Sequence, residues 1–151
     1  MFGFVLYIGG CLILAAAVTL VHSLFRPVHS KGDSKSWRVL LIVFVFSVLA
    51  PYGYVEVLTR SVAGPMKGAI AAGYADSGLL GPMQYYKVVS YSGDQARVVA
   101  VGEEKQDWGG ADRPVVAMTL RRTNGKWTAD SFNVVYSDRL QKDRSSLPPY
   151  W

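Results

Sequence analysis

The side chains able to do chemistry are few in this 151-residue chain, and their positions limit what they can do together. Both histidines, His22 and His29, precede residue 30, and the one cysteine, Cys11, sits in an apolar run. Beyond residue 30 there is no imidazole and no thiol. A Ser-His-Asp or Cys-His nucleophile set therefore cannot form there, nor can a zinc site of the usual donors. No glycine-rich phosphate loop stands between a strand and a helix. Glu103, Glu104 and Asp107 precede Trp108, and Asp112 follows it. Carboxylates suit hard cations, but this spacing matches no cation loop, so the group reads as a solvated acidic turn. Haem ligation wants His or Met on facing helices. The second apolar run has neither, which leaves His22 as an interfacial residue. Glu56 lies at the far end of that run and reads as a solvated or paired carboxylate rather than a proton relay. The expectation is a non-enzyme without metal or cofactor.

The elements that must position these residues begin with two apolar runs, residues 2–25 and 39–55, free of Asp, Glu, Lys and Arg. As a helix the first is about 36 Å long, enough for a hydrocarbon core of about 30 Å. The second is shorter, and its helix is expected to continue through Glu56 toward Thr59, with a bend at Pro51. Tyr52 and Tyr54 fit an aromatic belt. Between the runs, residues 26–38 carry Arg26, Lys31, Lys35 and Arg38 against Asp33 alone. The positive-inside rule places this loop in the cytoplasm and the C-terminal domain outside. The first run lacks a basic leader and a small-x-small site, so it reads as a retained helix, not a cleaved signal. The rest of the net charge of +5 is a mixed, solvated surface without the basic block of a nucleic-acid binder.

In the first run Tyr7, Cys11, Ala15, Thr19 and Ser23 recur every four residues, widened by Gly9, Gly10, Ala16 and Ala17. Ser47, Ala50 and Gly53 offer a matching surface. Small residues let helices approach closely in lipid. The stripe, Cys11, Ala15, Thr19 and Ser23 above all, either closes the hairpin or docks another membrane subunit.

Residues 60–77 carry apolar residues at a period of 3.6, with Gly64-Pro65 breaking the chain before a helix that restarts near Pro65. Four strands follow, at residues 84–91, 95–103, 115–122 and 127–137. Asn124-Gly125 marks a type I′ hairpin between the last two. Phe132, Val134 and Tyr136 are expected on one side of the last strand. The fold class is thus a two-helix transmembrane hairpin (residues 1–59), a small α+β domain with one helix on a four-stranded antiparallel sheet (60–137), and an extended tail (138–151). With no disulfide available, the domain must fold on packing alone.

The order of helix, Leu80-Gly81-Pro82, strand, the hairpin around Gly93-Asp94-Gln95, and the hairpin Arg122-Thr-Asn-Gly-Lys-Trp127 resembles the membrane-tethered domains of the cytochrome oxidase assembly factor superfamily. A Gly-Lys-Trp hairpin also resembles those of cystatin-like and nuclear transport factor 2-like domains. The two-helix anchor departs from the single helix of the assembly factors, and no catalytic residue is implied. The resemblance implies an accessory or assembly role beside respiratory complexes or protein translocation. A non-catalytic subunit of a larger membrane complex is therefore expected, with integral membrane subunits and the bilayer as partners. The alternative is a membrane-anchored ligand-binding or sensing module with a cleft lined by Tyr85, Tyr91 or Trp127. Trp108, Tyr150 and Trp151 are the expected docking residues, because exposed aromatics anchor interfaces. Pro148 and Pro149 stiffen the tail that carries the last two.

Overall fold

The computed structural model describes residues 2–25, 36–105 and 110–143. The chain divides into two compact units, residues 1–53 and 54–151. Trp108, Tyr150, Trp151, His29 and the basic loop around Lys31 lie outside the described residues.

In the first unit, α1 (Phe2–Leu24) and the first part of α2 (Ser36–Val62) are long and apolar enough to cross a bilayer. Most of their large side chains, among them Ile13, Leu20, Ile42 and Phe46, are exposed. Such surface is stable only in an apolar surround. Compared with the run of uncharged residues, α2 extends further at both ends, because Ser36, Trp37 and Arg38 at its start and Glu56 to Val62 at its end are also helical. Pro51 lies inside α2, which does not break there.

The boundary between the units falls within α2 because the last turns of that helix belong to the C-terminal domain. Val55 is buried, Leu58 and Val62 pack against the core, and the Val88 N–H donates to Thr59 Oγ1 at 2.8 Å. Ala63 ends α2, and a short 3₁₀ turn, Gly64–Met66, with Pro65 in its first turn, leads into α3 (Lys67–Asp76). Met66, Ile70 and Tyr74 lie one turn apart, so a single face of this segment is buried.

The sheet holds the four expected strands, β1 (Met83–Ser92), β2 (Gln95–Gly102), β5 (Val115–Thr123) and β6 (Lys126–Ser137), all antiparallel. A two-residue fifth strand, β7 (Lys142–Asp143), pairs with the free edge of β6, giving the order β1-β2-β5-β6-β7. The first part of the expected tail is therefore tied to the sheet. Between β2 and β5, the minimal strands β3 (Glu104–Lys105) and β4 (Ala111–Asp112) form a separate ladder. Asn124 and Gly125 have φ of 53° and 80°, as a type I′ turn needs.

α3 packs on the face carrying Val88, Val98, Ala100, Val116, Met118, Leu120 and Val134. The other face carries Val99, Val101 and Val115. Tyr136 departs from the expected alternation. Pairing steps from Val116↔Val134 to Val115↔Tyr136, so Val135 is an extra residue in the ladder. This bulge turns Tyr136 away from the Val134 face and onto the second cluster, where Val135 packs as well.

Candidate functional site

The stripe residues of α1 divide by depth. Cys11 and Ala15 are buried, Ala15 completely, and Thr19 is half-buried, its hydroxyl donating to the Ala15 carbonyl at 2.7 Å. Ser23 is exposed and donates to the Leu20 carbonyl. His22 is exposed. Above the buried pair, the Tyr7 phenol donates across to α2, 2.8 Å from the Val48 carbonyl and 3.3 Å from that of Ser47. Four residues beyond Ser47 stands Pro51. Pro51 has no N–H, so the Ser47 carbonyl lacks the donor that an ordinary α-helix supplies from position i+4. In a bilayer no water can serve it, and a neighbouring helix must. The longer of the two Tyr7 contacts thus falls on the carbonyl that Pro51 orphans, and the shorter on its neighbour, Val48.

Glu56 is a paired carboxylate at the domain end of α2. Arg60, one turn on, lies 2.8 Å from it, and the Lys87 ammonium of β1 also contacts it. This triad ties the last turns of α2 to the edge strand of the C-terminal domain, beside the Thr59 to Val88 bond.

Two members of the acidic group, Glu104 and Asp112, are not solvated as expected, while Glu103 is half-buried and Asp107 lies outside the described residues. Glu104 and Asp112 face each other across the β3–β4 ladder and are 6% and 4% exposed. Two buried carboxylates need donors. Asp112 Oδ2 accepts the Asp138 N–H at 2.9 Å. Arg139 Nε lies 2.8 Å from Glu104 Oε1 as an ion pair, although neither Glu104 oxygen has a hydrogen-bond partner among the described residues, and the same guanidinium donates to the Gly78 carbonyl just past α3. Arg139, in the segment expected as an extended tail, thus joins the end of α3 to the ladder.

Tyr74 completes this corner. Its ring lies against Gly102, where a β-carbon would meet the phenol oxygen, so a side chain there would have to displace the ring. The hydroxyl is buried and has no hydrogen-bond partner among the described residues. Burial, and then the charge of Glu104, push this phenol above its ordinary pKa. The only sequence signal for the corner was the acidic clustering itself; its cation comes from the far end of the chain.

No group of three or more His, Cys, Asp and Glu side chains among the described residues is placed to hold a metal ion. Beneath the helix, where the alternative reading places a cleft, Met66, Ile70 and Leu120 are fully buried. Tyr91 and Trp127 pack on each other, ring centroids 6.1 Å apart, and Trp127 also packs against the core. The hollow on the domain lies on the opposite face of the sheet, with a volume of about 540 Å³. Its floor is Val99, Val115, Ala117 and Val135. Thr119, Ser131 and Asn133 border it. Compared with family models, with curated proteins and with solved structures, the chain matches none.

Proposed function

We propose that this chain is a non-catalytic accessory or assembly subunit of a larger membrane protein complex, of the respiratory or electron-transport class that its sequence resemblance implies. In this reading the two helices cross the inner (plasma) membrane as a hairpin, with the basic loop in the cytoplasm and the α+β domain outside. Its partners are integral membrane subunits and the surrounding lipid.

The observation that carries the reading is the outward surface of α2. Leu41, Ile42, Val45, Phe46 and Leu49 line an apolar hollow of about 400 Å³ on the hairpin. The small side chains at Cys11 and Ala15 are already buried within the hairpin, so they are not what a partner helix would meet. A ridge of a second helix fits such a hollow, and in lipid that kind of packing is what holds helices together.

Val45→Trp fills the hollow without adding charge. Affinity purification in mild detergent, read by mass spectrometry, is expected to recover integral membrane subunits with the parent chain and to lose them with the variant. The outer domain should keep its β-sheet circular dichroism in both. Equal recovery from parent and variant, or no membrane subunit with either, would sink the reading.

A further inference from the structure

The sheet has two apolar faces, but α3 covers only one. On the other, Val99, Val101 and Val115 are at most 8% exposed, yet the described residues packed against them, Val89, Ala117, Val135 and Tyr136, all belong to the sheet itself. An apolar sheet face in water needs a second layer. Beside these valines lies the 540 Å³ hollow, with no acidic residue in its described lining.

We propose that the chain's own terminal segment, Leu147, Pro148, Pro149, Tyr150 and Trp151, seats in this hollow. The described part of the chain ends within reach of it. The turn after β6 is held by Asp138 on Asp112, by the Leu140 N–H on Ser137 Oγ and by Arg139 on Glu104 and Gly78. β7 then places Asp143 opposite Tyr136, at the border of this face. Asn133 is three residues back along β6, about 10 Å, and Ala117 is one strand further, about 5 Å. Extended chain spans about 13 Å over the four residues to Leu147 and about 26 Å over the eight to Trp151. The reach is sufficient.

The chemistry fits as well. Residues 147–151 carry no charged side chain, and Leu, Tyr and Trp suit an aliphatic floor. The Tyr hydroxyl and the Trp N–H need acceptors at the edge of a buried site. Thr119, Ser131 and Asn133 supply them along one side of the hollow. The two prolines reduce the entropy lost on seating. A tethered segment also acts at an effective concentration near millimolar, which favours it over a free competitor. This inference stands apart from the proposed membrane-complex role, since it concerns the outer domain alone.

The test uses the full chain in lipid nanodiscs. With Cys11→Ala as background, spin labels go on Ser146→Cys in the tail and Thr128→Cys on β6. Labelled chain is diluted with unlabelled chain so that only intrachain distances are read. A narrow distance distribution is expected. Tyr150→Ser with Trp151→Ser should broaden it, lowering the ratio of seated to free tail roughly tenfold or more, as loss of large apolar side chains predicts. Ala117→Glu, on the floor of the hollow, should broaden it with the tail intact, with amide exchange of β5 confirming that the sheet survives. A broad distribution in the parent chain would overturn the proposal. So would a narrow one indifferent to the tail changes, or one lost on dilution, the mark of a second copy of the chain.

Discussion

In the hairpin, a proline deprives one carbonyl of its donor, and a tyrosine from the other helix reaches across to that carbonyl at 3.3 Å and to the next one, Val48, at 2.8 Å. In the corner of the outer domain, a tyrosine is buried beside a carboxylate with its hydroxyl unpartnered among the described residues, and an arginine from the far end of the sheet balances the charge. Both regions bury polar groups, but by the composition of their surfaces they suit different solvents. Where the surround is lipid, an unserved backbone group has no recourse to water, so it must find its partner within the helices. Where the surround is water, buried charge is tolerable if one counter-ion reaches it from a partly exposed position, as Arg139 does. The first arrangement should be worth little and be local. The second should be worth more, because removing the cation strands a charge.

The largest effect is therefore expected from Arg139→Met. It leaves Glu104 buried without its counter-charge and frees the Gly78 carbonyl, a loss of about 2–3 kcal/mol with allowance for the exposure of Arg139. Thermal melting of the full chain, followed by β-sheet circular dichroism, would read it. Adding Glu104→Met should restore much of the loss, since a pair replaced by apolar side chains is often neutral. A double variant as unstable as the single one would mean that Arg139 acts through Gly78 and not through charge.

A smaller effect, confined to alkaline pH, belongs to Tyr74. Its folded-state pKa is raised, first by burial and then by Glu104. The unfolded chain loses this proton near pH 10 while the folded chain keeps it. Folding stability from this group is thus unchanged below pH 10 and falls as pH rises beyond it, by up to about 1.4 kcal/mol per pH unit for one proton. Tyr74→Phe should remove that share of the alkaline loss. At neutral pH it should be near neutral, because the deleted hydroxyl has no hydrogen bond to lose among the described residues. Identical alkaline melting of parent and variant would show that Tyr74 does not control this corner.

The parts legible in the sequence are those set by local pattern. Uncharged runs mark α1 and most of α2, alternation marks four strands, and Asn124-Gly125 marks its turn, because each depends on neighbours within a few residues. β7, the β3–β4 ladder and the Val135 bulge depend on what the far strand offers, and a two-residue strand has no period to read. The bulge also explains why Tyr136 faces away from Val134 although simple alternation puts them together. Arg139 looked like one more charge in a polar tail; only the antiparallel return of the chain brings it to Glu104. Tyr7 and Pro51 were both visible, one in a stripe and one as a bend, but their link needs the register of α1 against α2.

That link gives the smallest expected effect and the sharpest test of the comparison. If Tyr7 is present to serve the carbonyl that Pro51 orphans, the two residues should be coupled. Tyr7→Phe alone removes the donor and should weaken the hairpin by about 1 kcal/mol, the range found for interhelical hydrogen bonds in membranes. Pro51→Ala alone returns an N–H to position 51, and the Ser47 carbonyl regains its helical partner. In that background Tyr7→Phe should be close to silent. A double-mutant cycle on the full chain in lipid nanodiscs would measure the coupling as the difference between the two Tyr7→Phe effects. Amide exchange at residues 47–52 is the readout, since opening of this turn is the event that the phenol opposes. A coupling near zero, with Tyr7→Phe equally damaging in both backgrounds, would mean that the phenol is held by the Val48 carbonyl for its own sake. The proline would then be incidental, and burial in the hairpin would follow the same logic as burial in the outer domain.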